Sequence, residues 1–272
     1  MYYDLKAKKF ISVKESKGLK ILYSTFLGRI ILKLFTTHFI ANSYAKYMNS
    51  SLSKFKIKGF IKKNNIDMSL YQKQDYKSFN DFFVRQIKKD KRPIEKGLIS
   101  VCDSKLSVYK ISSNLKLRIK NSIYTIEELI QDQTSFKYAL IFRLCVDDYH
   151  HYIFPDNGKV LSTKYIEGIL HTVQPIAFKK YKVFSENSRQ VTFLQCDNLG
   201  LVCFIEVGAM MVGKIVNENV ETFKKGAEKG HFEFGGSTVI MLIQKDLKIN
   251  SKILENTKND IETIVKMGQN IE

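Results

Sequence analysis

The chain has 272 residues, 44 Lys and Arg against 27 Asp and Glu, and a formal net charge of +17. With 44% hydrophobic and 12% aromatic residues it is far too apolar to be disordered, and its length fits one large domain, or one domain with an appendage. So much positive charge implies a polyanionic partner, either nucleic acid or an anionic membrane surface.

That charge is concentrated at one end, because residues 1–63 hold 14 Lys and Arg against 2 Asp and Glu, +12 of the +17. The opening MYYDLKAKKF has no apolar run behind its charges, so no secretory signal is expected. Cys102, Cys145, Cys196 and Cys203 show no CxxC spacing and read as buried free thiols of a reducing compartment. Leu19, Leu22, Phe26, Ile30 and Leu34 recur at three- and four-residue steps, with Arg29 and Lys33 interrupting the apolar run. No stretch of 18 uncharged apolar residues exists, so a spanning helix is not expected. Two readings remain: a basic amphipathic helix lying in a membrane interface, or a surface helix packed on the body. A second basic helix is expected from Ser53 to Asn64.

Further along, Phe79–Phe83 opens a short helix that ends before the turn at Arg92-Pro93, and Thr125 caps a helix reaching Ile130. Leu106–Ile111, Tyr138–Val146, Leu199–Val212 and Ser237–Ile243 read as strands, with hairpin turns at Asn157-Gly158 and Asn198-Leu199-Gly200. The expected fold class is α+β: a basic helical, membrane-associating segment over residues 1–70, then a mostly antiparallel β-rich catalytic domain over 71–272.

Four clusters carry chemistry-bearing residues: Asp147-Asp148-Tyr149-His150-His151, Gly168 to Pro175 with His171, Val207 to Gly213, and Lys225 to Ile240. Adjacent side chains on a strand point to opposite faces, so the Asp-Asp-Tyr-His-His run chelates poorly and no metal is expected. The glycines of the last cluster lack the spacing of a phosphate loop. Gly235-Gly236-Ser237-Thr238 admits two readings. It is a glycine turn entering a strand, or a serine able to attack the unhindered glycyl carbonyl before it.

Taken together, Ser78 to Phe83 with Arg85 and Arg92-Pro93-Ile94, Asp148-Tyr149-His150, Glu206 to Ala209 with Val212-Gly213, and Lys225-Gly226-x-Glu228-Lys229-Gly230 through Gly-Gly-Ser-Thr-Val-Ile240 resemble the phosphatidylserine decarboxylases of clostridia-like bacteria. The resemblance runs from about Leu19 to the C-terminus. It implies a proenzyme that cuts itself between Gly236 and Ser237 into a β chain of residues 1–236 and an α chain of 237–272. Ser237 would become a covalent pyruvoyl group, the cofactor, and decarboxylation of phosphatidylserine to phosphatidylethanolamine would run through a Schiff base. The implied partners are the lipid substrate, an anionic membrane surface and the protein's own two chains, with room for a homodimer and without nucleic acid. The implied location is peripheral, on the cytoplasmic side of the cell membrane.

The same resemblance assigns Asp103 to orienting the cleavage base, although the usual Pro and Gly around it are Val101 and Ser104 here. It assigns His150 to the substrate. The second histidine, often three residues later, is replaced by Ile153. His150 then serves both steps, or His171 reaches across from a following strand, or the chain is a poorly processed or inactive member. His151 is expected on the opposite face and His231 at the surface. The alternatives from other classes are a basic nucleic-acid-binding protein and a non-cleaving protein of the membrane surface.

Overall fold

The computed structural model describes every residue except 13–15, 113–115, 120–121, 211–213 and 236. The chain opens with strands β1 (Tyr2–Asp4) and β2 (Lys9–Ile11), then helices α1 (Lys17–Ser24), α2 (Phe26–Phe35), α3 (His38–Asn49), α4 (Lys56–Asn64) and the short α5 (Phe79–Phe83). There follow β3 (Ser104–Lys110), the hairpin of β4 (Lys116–Ile119) and β5 (Ser122–Thr125), α6 (Ile126–Ile130), β6 (Tyr138–Leu144), β7 (His151–Ile153) and β8 (Gly158–Ile166). The last part holds α7 (Val183–Glu186), β9 (Arg189–Cys196), β10 (Gly200–Val207), β11 (Ile215–Asn217), β12 (Thr222–Phe223), β13 (Glu228–Phe232), β14 (Ser237–Ile243), α8 (Ser251–Lys258) and β15 (Glu262–Val265). This is the expected α+β arrangement.

Ten strands form one sheet in the order β12-β8-β9-β10-β14-β6-β3-β15-β1-β2, antiparallel except where β1 runs parallel to β15. A second sheet of β11-β13-β7 packs against it. Strand β14 lies between β10 and β6 with all seven residues buried. Its alternation splits the core: Val239, Met241 and Ile243 join Phe142, Phe204, Tyr152 and Phe232 on one face, while Ile240 and Leu242 join Ile141, Ile205, Val173 and Tyr23 on the other. Burial on both faces explains why the sequence of this strand is a continuous apolar run rather than an alternating one.

The boundary expected at residue 70 does not match the sheet. Strands β1 and β2 extend it, and the Tyr2 hydroxyl accepts from Arg143 Nη2 at 2.9 Å beside the bidentate Arg143–Glu262 pair. The N-terminal stripe is also two helices rather than one. Thr25, extended at φ −94° and ψ 157°, ends α1 and caps α2 by accepting from Gly28 N. Gly28 allows the fold-back, since a Cβ there would lie 2.2 Å from the Ile21 carbonyl oxygen. Only Tyr23, Gly28 and Leu32 of this pair are buried. Ile21, Phe26, Leu27, Ile30, Ile31 and Leu34 are exposed, so most of the stripe faces outward rather than onto the body.

Buried ion pairs tie the two sheets. Lys229 of β13 bonds Glu206 of β10, and both side chains are inaccessible to solvent. Burial nonetheless pushes the Glu206 carboxyl above its usual range, against the opposing pull of Lys229. Removing Lys229 alone should therefore cost about 3–5 kcal/mol, because it strands a buried carboxylate. We expect Lys229→Met to show this loss in urea unfolding. The deficit should be larger at pH 8 than at pH 6, since a carboxyl of raised pKa supports the fold only while protonated. Glu206→Leu added to Lys229→Met should recover much of the loss, and a double variant no better than the single one would contradict the pairing.

Candidate active site

Ser237, the first residue of β14, pairs with Leu144 of β6. Alternation along the strand places its side chain on the Val239–Met241 face, toward Tyr152 and Phe232. The residue is fully buried, and its Oγ has no hydrogen-bond partner among the described residues. A buried hydroxyl left unpaired is costly, on the order of 1–3 kcal/mol. Thr238, on the opposite face, is also unpaired at its Oγ1. Gly236, the other half of the expected cleavage site, lies outside the described residues, as do Val212 and Gly213 of the third motif.

His150 sits at the mouth of β7, and its carbonyl accepts from Phe232 N at 3.0 Å. Its ring packs on Phe83 at 4.4 Å between centroids, and Phe83 packs on Phe234 at 5.1 Å. This chain of contacts leads to Phe234, three residues before Ser237. His150 Nδ1 lies 2.9 Å from the Asp148 carbonyl oxygen. A carbonyl only accepts, so Nδ1 carries the proton and Nε2 keeps its lone pair. That Nε2 is buried without a partner. Burial lowers the His150 pKa to about 4, with the Asp148 carbonyl pulling the other way, so the ring is neutral near pH 7.

The loop that carries His150 is pinned at Asp148, whose carboxylate takes Lys105 Nζ at 2.5 Å and Cys145 N at 2.8 Å. Lys105 was not legible as a site-forming residue, because it carries no chemistry itself, whereas Phe83 lies in one of the motifs that carry the family resemblance. Apolar positions of α5 do point inward at helical spacing, and Ser78 caps that helix by accepting from Asp81 N.

Asp103 is placed differently from expectation. Its carboxylate takes Arg92 Nε at 2.8 Å and Arg92 Nη2 at 2.6 Å, Lys266 Nζ at 3.1 Å and Met267 N at 2.9 Å. None of these contacts is with a histidine. Burial raises the Asp103 pKa, but Lys266, Arg92 and the Met267 amide outweigh it and hold the group below its ordinary value. The histidine oriented here is His150, and a backbone carbonyl orients it.

His171 is not on a strand. It follows the isolated bridge at Ile169, and its ring stacks on Tyr181 at 3.9 Å between centroids. Its Nδ1 lies 3.3 Å from the Tyr23 hydroxyl, which accepts from Thr172 N at 3.0 Å. Tyr23 and Val173 belong to the core on the sheet face opposite the one Ser237 joins. With Phe26, Ile30, Arg29 and Lys33 of α2, His171 lines an open groove of ≈ 750 Å³. Burial lowers its pKa to about 4 as well. His151 leaves its strand on the side away from His150, as expected, stacked on Tyr149 and His231. His231 is half-buried against it rather than free at the surface.

The phosphatidylserine decarboxylase family model matches residues 79–272, which include every candidate residue discussed above. The chain is 49% identical to phosphatidylserine decarboxylase proenzyme 2 of Clostridium acetobutylicum, over 98% of this chain and 96% of the relative. It is 40% identical to the proenzyme of Clostridium perfringens, over 99% and 98%, and 37% identical to that of Ruminiclostridium cellulolyticum, over 99% and 96%. The chain belongs to the phosphatidylserine decarboxylase family. It is therefore a carboxy-lyase, and the decarboxylase reading displaces the nucleic-acid one. The motif residues of this decarboxylase also acquire physical roles, since Glu206 and Lys229 pair across the sheets and Asp148 holds the His150 loop.

Asp103→Asn should cost about 1.5–3 kcal/mol by losing charge-assisted bonds to Arg92 and Lys266. Because the folded pKa of Asp103 is depressed, that contribution is complete well above 3.8, its unperturbed value, and fades as the pH falls through it. Thermal unfolding should therefore show a wild-type advantage near neutral pH that narrows in acid. A gap that widened in acid would contradict the pairing.

Proposed function

We propose that this decarboxylase matures by self-cleavage at Gly236-Ser237 with His150 as the base, and that it then acts on phosphatidylserine at an anionic membrane surface. One observation carries the first part. Ser237 Oγ, a donor, and His150 Nε2, an acceptor, are both buried and both unpaired, on elements joined through Phe232, Phe83 and Phe234. A buried donor and a buried acceptor that are both unspent are candidates for a nucleophile and its base, which must close to hydrogen-bond distance before the proton passes.

In this reading His150 Nε2 takes the hydroxyl proton, and Ser237 Oγ attacks the Gly236 carbonyl carbon. The peptide C–N bond breaks, the Ser237 nitrogen receives the proton, and an ester joins Gly236 to the serine side chain. Loss of the Ser237 Cα proton and cleavage of the Cβ–Oγ bond release the Gly236 carboxylate and leave dehydroalanine. Water converts that residue to a pyruvoyl group and ammonia. The unpaired, enclosed position of Ser237 fits such a group. Once formed, it supplies the electron sink for the departing carboxylate. In this reading Phe83, Phe232 and Phe234 keep water from the site, and His150 Nε2 would return a proton to the carbon that loses CO₂. Severing the chain would not separate its parts. Residues 237–272 supply β14, between β10 and β6, and β15, between β3 and β1.

The membrane part rests on the outward apolar residues of α1 and α2, together with exposed Phe39, Leu52 and Phe55, on the most basic part of the chain. No helix among the described residues is long and apolar enough to cross a membrane, and this reading takes the attachment as peripheral, on the cytoplasmic side that the family resemblance implies. His171, Arg29 and Lys33 then border a groove on the lipid-facing side, a place for lipid recognition rather than for cleavage.

Mass spectrometry of the expressed chain should find a fragment of residues 237–272 with a blocked N-terminus. Ser237→Ala and His150→Ala should each leave the chain intact, while His171→Ala should still cleave. Cleavage that survives His150→Ala but not His171→Ala would reverse the assignment. Vesicle flotation with anionic lipid tests the surface. Phe26→Ser with Leu27→Ser and Ile30→Ser should lower binding on the order of 100-fold at fixed salt, each of the three lost apolar contacts being worth on the order of 1 kcal/mol, and cleavage should be unchanged.

A further inference from the structure

On the far side of β7 from His150, three side chains converge: His151 of β7 with Glu228 and His231 of β13. Residues 228 and 231 are three apart, and on a regular strand they would face opposite ways. A bulge prevents this. Glu228 pairs with Ile153, Gly230 with Tyr152 and His231 with His151, so one extra residue lies between Glu228 and Gly230. The extra residue turns Glu228 and His231 onto the face that His151 shares with Ile153. Lys229 is thereby sent to Glu206.

The proton count at His151 then becomes informative. Its Nε2 lies 3.0 Å from the Val84 carbonyl oxygen, which only accepts, so Nε2 carries a proton. In the neutral ring Nδ1 has a lone pair, and it faces Glu228 Oε1 at 2.7 Å. Two acceptors do not approach so closely without a cation between or beside them. His231 Nδ1 lies 3.8 Å from the same oxygen, and the two imidazoles stack at 4.9 Å between centroids. All the ligand atoms of the trio lie within 4.8 Å of one another. A carbonyl holding the outer N–H of a histidine whose other nitrogen binds metal is the usual supporting arrangement of such sites.

We propose that His151 Nδ1, His231 Nδ1 and Glu228 form a binding site for a divalent transition-metal ion of the zinc class. Two imidazole nitrogens and one carboxylate suit zinc rather than magnesium or calcium, which favour all-oxygen sets. Ligand distances of about 2.0–2.2 Å put neighbouring donors roughly 3.4 Å apart, so the Nδ1–Oε1 gap opens by less than 1 Å. The Glu228 side chain is 37% exposed and free to make that movement, while His151, 3% exposed, is fixed by Val84. The same exposure leaves a coordination position open to water. Bound metal would lock β7 to β13 directly behind His150.

The test uses untagged full-length protein stripped of metal with chelator, then titrated with zinc by calorimetry near neutral pH, with bound metal counted by mass spectrometry. One zinc per chain is expected. His231→Gln and Glu228→Gln, both at partly exposed positions, should each weaken binding at least about ten-fold, with unchanged circular dichroism. Cobalt substitution should give the intense visible bands of a low-coordinate site, absent in His231→Gln. No stoichiometric zinc would overturn the proposal and leave a proton on His151 as the cation. Zinc bound equally by the wild type and both variants would overturn it too, by placing the ion elsewhere.

Discussion

Strand β14 runs through the middle of a sheet that is buried on both faces, and its first residue is a serine. Everything else at the site follows from that placement. A central strand cannot turn its polar terminus to water, so Ser237 is enclosed with an unspent donor, and the strand's alternation decides which face receives it. That face is the one closed by β7, β13 and α5. The opposite face holds the amphipathic helices and His171. The sheet thus puts Ser237 and His171 in two separate cores.

The histidine loop depends on buried charge. Asp148 spends its carboxylate on Lys105 and the Cys145 amide and its carbonyl on His150, so one residue fixes both the loop and the tautomer. Asp103, fully engaged by Arg92, Lys266 and Met267, anchors the C-terminal strand region instead. Asp103 therefore keeps a structural duty, while the His150 ring is held by the Asp148 carbonyl and by Phe83.

Much of this was legible from residue order. Ser237–Ile243 appears with the bounds expected and the helix expected to open at Phe79 does open there, ending at Phe83, because an unbroken apolar run and a capped aromatic turn are local signals. The Thr125 cap is present with its reciprocal Glu128 bond. What could not be read was non-local. Nothing in the spacing of Tyr2 announces that it will reach Arg143, so the place of β1 and β2 in the sheet is not legible from residue order. The break at Thr25 hides inside a helical period, since a capping threonine and a solvent-facing threonine look alike. His171 appeared to be a strand residue near the cleavage turn, and only the parity of β14 shows which side of the sheet it joins. The bulge at Lys229 was equally silent, because β-bulges depend on the partner strand's register.

The central claim is that His150 enters the proposed reaction as a neutral ring with its proton on Nδ1 and a bare, buried Nε2. Nitrogen NMR on the uncleaved Ser237→Ala protein, metal-free and near neutral pH, reads this directly. The account predicts a single neutral tautomer with Nδ1 protonated and Nε2 bare. A ring protonated on Nε2, alone or together with Nδ1, would contradict it.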